Sequence, residues 1–248
     1  MHEPLLQVTA LTKYFAGVVA SDRLSFEVGA GELHAVIGPN GAGKTTLVDQ
    51  IAGQTRPDSG SIRFAGRDIT WLPVHRRSML GLARSFQITT LLPDFSTIDN
   101  VALAVQAHAG HSFRFWRKAR FDPELRQPAL RELARVGLAD RADTPVAQLS
   151  HGEHRLLEIA IALAGRPRML LLDEPMAGLG PQESIGIMAL FRELKRELTI
   201  LLIEHDMDVV FALADRITVL LSGHVVASDV PTSIRSNTEV QQAYLGTE

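Results

Sequence analysis

The stretch GPNGAGKTT (38–46) holds the residues whose types and spacing point most directly to chemistry. It fits the pattern G-x-x-x-x-G-K-[ST] and lies between an apolar run and a segment with helical character. The loop formed by Gly38, Pro39, Asn40, Gly41, Ala42 and Gly43 is expected to curl around phosphate oxygens. Its glycines let successive backbone N–H groups point inward, and the following helix adds its positive N-terminal end. Lys44 can reach the outer phosphates, Thr45 can place a hydroxyl on Mg²⁺, and Thr46 can contact the innermost phosphate. A partner motif, MLLLDEP (169–175), ends a buried apolar run in two acids. Asp173 is placed to hold Mg²⁺, and Glu174 to face the terminal phosphate and polarise an attacking water. LLIEHD (201–206) closes another apolar run, so His205 should emerge at the same edge.

A fourth cluster, LSHGEHRLLEI (149–159), allows three readings: metal ligation by His151 and His154, a hydrolytic triad, or a helix start. The histidines lie three apart with no third ligand pattern nearby, and nothing else in the chain supplies a nucleophile setting. Ser150 and Glu153 instead have the Ser-x-x-Glu spacing of a capping box.

These residues need a scaffold that brings distant strand ends together. The chain has 248 residues, 46 % apolar and 21 % charged, enough for one large domain or two small lobes. Strand and helix signals alternate, which predicts an α/β fold with a largely parallel sheet. LHAVIGP (33–39), MLLLDEP and TILLIEH (199–205) read as buried strands. ITVLLSGHVVASD (217–229) reads as a late antiparallel hairpin, and the first sixty-odd residues as a β-rich flank with glycine turns. From about 91 to 163 the spacing turns helical, and Gly137 is a C-cap candidate there, so a helical lobe is expected within one domain spanning 1–248. ESIGIMALFRELKREL (183–198) is expected to be a helix with one packed and one solvated face.

Net charge –3 and pI near 6.3 leave no polybasic footprint for nucleic acid. The stretch HSFRFWRKARF (111–121), with interleaved aromatics and arginines, resembles a single-strand binding surface, but reads better as an amphipathic or partly exposed insertion or a membrane-surface contact. The absence of cysteine excludes disulfides and thiolate metal sites and fits a cytoplasmic setting. No uncharged apolar run reaches the roughly 18 residues of a membrane span.

Taken in order, these motifs resemble those of the ATP-binding cassette ATPases over nearly the whole chain. GPNGAGKTT is similar to that family's Walker A, SFQ with Gln87 to its Q-loop, and LSHGE to its signature. LLLDEP is similar to Walker B, AGLGP to the D-loop, and IEHD to the switch bearing His205. Phe15 in KYFAGVVA matches the aromatic that stacks on adenine, with Tyr14 as the neighbouring candidate; either could instead be ordinary core. The resemblance implies a P-loop NTPase (RecA-like) core, an N-terminal antiparallel β subdomain and an inserted α-helical subdomain.

It further implies a dimer in which each ATP lies between one subunit's P-loop and the other's signature, with Ser150, Gly152 and Glu153 acting in trans. Gln87 would join Thr45 and Asp173 around Mg²⁺ and link the phosphate to the helical lobe. The implied partners are a second such ATPase, integral membrane permease subunits and, indirectly, a solute-binding protein. The implied place is the cytoplasmic face of the membrane, and no nucleic acid is expected. GVVASDRLSFEV, GLARSFQ, LEIAIALA, LLIEHDM and EVQQAYLG resemble the longer ATP-binding subunit of branched-chain amino acid importers. Urea and amide importers share much of this. Lipopolysaccharide-export ATPases share the single-domain build, while soluble cassette proteins of DNA repair or translation usually carry two cassettes or a coiled-coil insertion. Three positions depart from the pattern: His151 stands for a glycine, Glu153 for a glutamine and Gly180 for an aspartate.

Overall fold

The computed structural model describes residues 3–85, 91–109 and 122–245. Two sheets organise it. The first is antiparallel in the order β2 (Val18–Val28), β1 (Leu6–Phe15), β4 (Ser59–Phe64) and β5 (Arg67–Asp68). The second runs β10 (His224–Asp229), β9 (Arg216–Leu221), β3 (Leu33–Ile37), β8 (Thr199–Ile203), β7 (Met169–Asp173) and β6 (Leu82–Arg84). Every pairing in it is parallel except β9 with β10.

The three central strands are apolar because both their faces are covered. Alternate residues of β7 and β8 enter different cores. Leu170, Leu172, Ile200 and Leu202 pack on one side with Leu157, Leu190 and Phe191, whereas Met169, Leu171, Leu201 and Ile203 pack on the other with Leu47, Ile51 and Phe64. The first core is supplied by α3 (Thr97–Ala109), α4 (Pro123–Arg135), α5 (His151–Ala164) and α6 (Pro181–Leu194). The second joins the antiparallel sheet to the parallel one across α1 (Lys44–Ala52). A third, smaller core sets β3 and β9 against α7 (Met207–Leu213), α8 (Pro231–Ser236) and α9 (Thr238–Leu245).

Local signals explain the boundaries. Helix α4 ends in a Schellman motif, with Gly137 at φ 78°, its N–H on the Ala134 carbonyl and that of Leu138 on Leu133. The β9–β10 turn is Ser222-Gly223, both with positive φ as a tight hairpin requires. Helix α6 stops at Leu194, short of the expected end at 198, because Leu198 leads into β8. Helices α3, α4 and α5 follow one another in sequence between β6 and β7. The short α2 (Val74–Met79) brings Arg77 under α1, where its guanidinium donates to the carbonyls of Gln50, Ile51, Thr70 and Leu72. Burial lowers the Arg77 pKa to about 10, against the opposing pull of the Asp68 carboxylate.

The doubly covered sheet makes β7 intolerant of lost volume. Leu172→Ala is expected to cost about 2–5 kcal/mol of unfolding free energy, while Ile185→Ala, on the exposed face of α6, should change it by less than about 0.5 kcal/mol. Urea denaturation of the two variants checks the contrast.

Candidate nucleotide-binding site

The parallel register puts the chemistry at one edge. Val36 of β3 and Asp173 of β7 both pair with Ile203 of β8, so the segments after all three strands leave the sheet side by side. From β3 the chain enters the loop 38–43 and then α1, whose first turn carries no acid that would oppose an anion. Two loop glycines are demanded by close approach. A Cβ on Gly38 would lie 2.4 Å from the Leu220 carbonyl oxygen, and one on Gly43, at φ 98°, would lie 2.2 Å from that of Ala20. The Gly223 N–H donates to the Ala42 carbonyl at 3.1 Å, so the β9–β10 turn braces the loop from below.

Lys44 is buried, and its Nζ donates to the carbonyls of Gly38 at 2.7 Å and Pro39 at 3.1 Å, which holds the charge inside the curl. Burial lowers its pKa, and the carboxylates of Glu174 and Asp173 oppose that shift. Gly41, Asn40 and Thr45 are exposed, Pro39 and Thr46 half-buried, and Ala42 buried.

Asp173 ends β7 with its side chain almost fully enclosed. Burial raises its pKa, while the Arg84 guanidinium, 3.0 Å from Oδ2, pulls it back down. Its other oxygen, Oδ1, is buried with no hydrogen-bond partner among the described residues. A desolvated carboxylate oxygen without a donor, at the same edge as a cationic loop, suits an oxygen-seeking divalent cation. The donor set therefore fits Mg²⁺ held through Asp173 and Thr45.

Glu174 follows in the left-handed region at φ 47°, a conformation that costs a non-glycine residue about 1–2 kcal/mol. The hydrogen bond from its N–H to the Ile203 carbonyl at 2.9 Å holds it there. Its carboxylate is partly exposed, 3.8 Å from Nδ1 of the exposed His205. Asp206, the next residue, caps α7 by accepting the N–H groups of Asp208 and Val209.

Two residues at this edge escaped sequence reasoning. Glu204 is buried, and its carboxylate accepts from the N–H of Met176 at 3.1 Å and of His205 at 3.1 Å. Arg84 is the second. Their signals, the acid directly before His205 and the arginine in GLARSFQ, were visible but had no assignable partner.

The LSHGE segment forms the start of α5 as a complete capping box. The Glu153 N–H donates to Ser150 Oγ at 3.2 Å, and the Ser150 N–H to Glu153 Oε2 at 2.8 Å. Arg141 donates to Glu153 Oε1 at 2.8 Å, and this pairing lowers the Glu153 pKa, so both carboxylate oxygens are engaged within the chain. Gly152 is buried where a Cβ would strike Glu183, whose carboxylate also receives the Gly180 N–H at 2.9 Å. His151 borders Gly178, and His154 donates through Nε2 to the Val146 carbonyl at 2.9 Å. Among the described residues no cluster of His, Asp and Glu could hold a metal ion by itself. Ser150, Gly152 and Glu153 line a cavity of about 460 Å³ with residues of α4, α5 and α6, and no residue of the 38–46 loop borders it.

Phe15 and Tyr14 sit exposed at the tip of the β1–β2 hairpin, so neither is core; the Lys13 ammonium lies 5.2 Å above the Phe15 ring. Gln87 and the stretch 111–121 lie outside the described residues.

Comparisons with known proteins agree with this geometry. The ABC transporter family matches residues 21–177. The chain is 38 % identical to the high-affinity branched-chain amino acid transport ATP-binding protein BraF of Pseudomonas aeruginosa, over 99 % of each chain. Its fold is similar to the ADP conformation of MJ1267, an ATP-binding cassette of an ABC transporter, with TM-score 0.87, 29 % identity and coverage of 99 % of this chain and 100 % of that one. It is also similar to the dimeric post-hydrolysis structure of the cassette MJ0796 bound to ADP and Pi, with TM-score 0.77, 25 % identity and coverage of 91 % and 98 %. With the curled lysine loop, the paired acids and the histidine at one sheet edge, this chain belongs to the ABC transporter family as one of its ATP-binding cassettes.

Proposed function

We propose that the chain is the ATP-hydrolysing subunit of an importer, and that it powers passage of branched-chain amino acids through separate membrane permease subunits. The observation that carries the catalytic part is the convergence of Lys44, Asp173, Glu174 and His205 on one edge of the parallel sheet. The solute follows from the likeness to BraF, a branched-chain amino acid transport protein by name. Peripheral attachment at the cytoplasmic face suits a chain in which no helix among the described residues is long and apolar enough to cross a membrane.

In this reading the 38–46 loop and Lys44 bind and orient the phosphates. Thr45 and Asp173, with Gln87, would hold Mg²⁺, which when bound would supply positive charge against the phosphate oxygens. Glu174 takes up the proton of the attacking water, and His205 steadies the terminal phosphate beside it. Phe15 supplies an exposed ring for the adenine. Ser150 and Gly152, which border a cavity that no residue of the 38–46 loop lines, meet the nucleotide of a second cassette; Glu153 serves that contact by shaping the helix start. The helices α3–α5 form the lobe that receives the permease.

Glu174→Gln is expected to keep ATP binding, to accumulate an ATP-held dimer on size exclusion, and to lower turnover by about 10²–10⁴-fold. Near-normal hydrolysis by this variant would remove Glu174 from the catalytic role. In the complex reconstituted with its permeases and binding protein, leucine should stimulate hydrolysis. Stimulation by urea instead would reassign the solute, and stimulation by neither would remove the importer reading.

Glu204 supports the same edge from beneath. Burial raises its pKa, opposed by the amides of Met176, His205 and Asp206. A carboxyl with a raised native pKa binds its proton more tightly when folded, so that contribution to stability is full below the unfolded value and is lost as pH climbs through the native one. The unsubstituted chain should therefore lose stability relative to Glu204→Gln as pH rises from ~4.3, the ordinary glutamate value, towards neutrality. Urea titrations of both chains across that window check the sign; a pH-independent difference would contradict it.

A further inference from the structure

Arg84, the last residue of β6, joins three elements that meet at the phosphate edge. Its side chain is 8 % exposed. Nη2 donates to Asp173 Oδ2 at 3.0 Å, while Nη1 donates to Asp49 Oδ1 at 2.6 Å and to Gln54 Oε1 at 2.7 Å. Asp49 belongs to α1, the helix that begins at Lys44, and Gln54 lies just beyond its end. One guanidinium thus ties the strand carrying Asp173 to the helix carrying the phosphate loop. A planar fork with two arms spoken for cannot swivel. With Oδ2 held by that fork, the Asp173 carboxylate has one orientation open to it, and its remaining oxygen is the buried one that lacks a partner among the described residues.

We infer that Arg84 is a positioning residue for the metal site: it occupies one oxygen of Asp173 and thereby presents the other, Oδ1, to the Mg²⁺ that accompanies the nucleotide. Asp49 and Gln54 anchor the arginine so that the presentation is fixed relative to α1. Arg84 acts through Asp173 and not on the phosphates. The inference rests on the assignment of Asp173 to Mg²⁺ and names the side chain on which that assignment depends.

The test separates metal binding from nucleotide binding. Mn²⁺ affinity of the ADP-loaded chain is measured by electron paramagnetic resonance, and ADP affinity is measured separately in the presence of a chelator. Arg84→Lys retains the charge but offers no fork. It is expected to weaken Mn²⁺ binding by about tenfold or more, the usual effect of losing a group that orients a metal ligand, with metal-free ADP affinity unchanged. Arg84→Met should behave likewise, and Asp49→Asn, which removes the charge of one anchor and so weakens it, should give a smaller drop in Mn²⁺ affinity alone. Should Arg84→Met fail to fold, the lysine and asparagine variants decide, with thermal melts confirming that they are folded. Unchanged Mn²⁺ affinity in them would overturn the inference. An equal loss of metal-free ADP binding would also overturn it, because a bridge that merely stabilises α1 predicts that result. Failure of the unsubstituted ADP-loaded chain to bind Mn²⁺ would instead defeat the assignment of Asp173 itself.

Discussion

The register of β8 between β3 and β7 is the constraint from which the site follows. Ile203 pairs with Val36 on one side and Asp173 on the other, so the phosphate loop, the acidic pair and His205 all leave the sheet at one level. A slip of β7 by one residue would turn that strand over. Leu172 would leave the core it shares with Phe191, and Asp173 would exchange faces with it. The apolar packing that stabilises the sheet thus also aims the acids. Glu174 depends on the same pairing, since the Ile203 carbonyl accepts the N–H that keeps it in its left-handed conformation.

Upon that register sits a layer of close contacts made by backbone. Gly38 and Gly43 let the loop lie against the carbonyls of Leu220 and Ala20, which belong to different sheets. The phosphate loop is therefore gripped between the antiparallel sheet and the late hairpin, and Lys44 is buried as a result. Beneath it, Arg77 takes up carbonyls at the end of α1, and Arg84 bridges that helix to β7. Two enclosed arginine side chains thereby fix both the far end of α1 and its relation to β7.

Much of this was legible in the sequence because the signals are local. Glycine spacing marks the loop, apolar runs ending in acids mark β7, and Ser150 with Glu153 marks the start of α5; the capping box is present as the spacing requires. What escaped was long-range or too short to show a period. Strand β6 has three residues, fewer than any alternation needs, and the partners of Arg84 lie 30 to 89 positions away. Glu204 directly precedes His205 in the sequence, and only the fold reveals that it accepts the Met176 amide. His151 and His154, which attract attention in the sequence, border Gly178 and bond to a backbone carbonyl.

The departures in the signature and the D-loop segment are neighbours in space. His151 borders Gly178, and Glu183 stands between Gly152 and Gly180, so the changes at 151 and 180 fall in one contact region at the starts of α5 and α6. The cavity bordered by Ser150, Gly152 and Glu153 includes no residue of the 38–46 loop in its lining. The claim beneath all of this is that the 38–46 loop and Lys44 bind the phosphates of ATP. Equilibrium dialysis of Mg·ATP against the unsubstituted chain and Lys44→Ala tests it directly. The account predicts saturable binding that weakens by about tenfold or more in Lys44→Ala, as loss of a charge-assisted hydrogen bond to phosphate requires. Equal affinity in the two chains would contradict it.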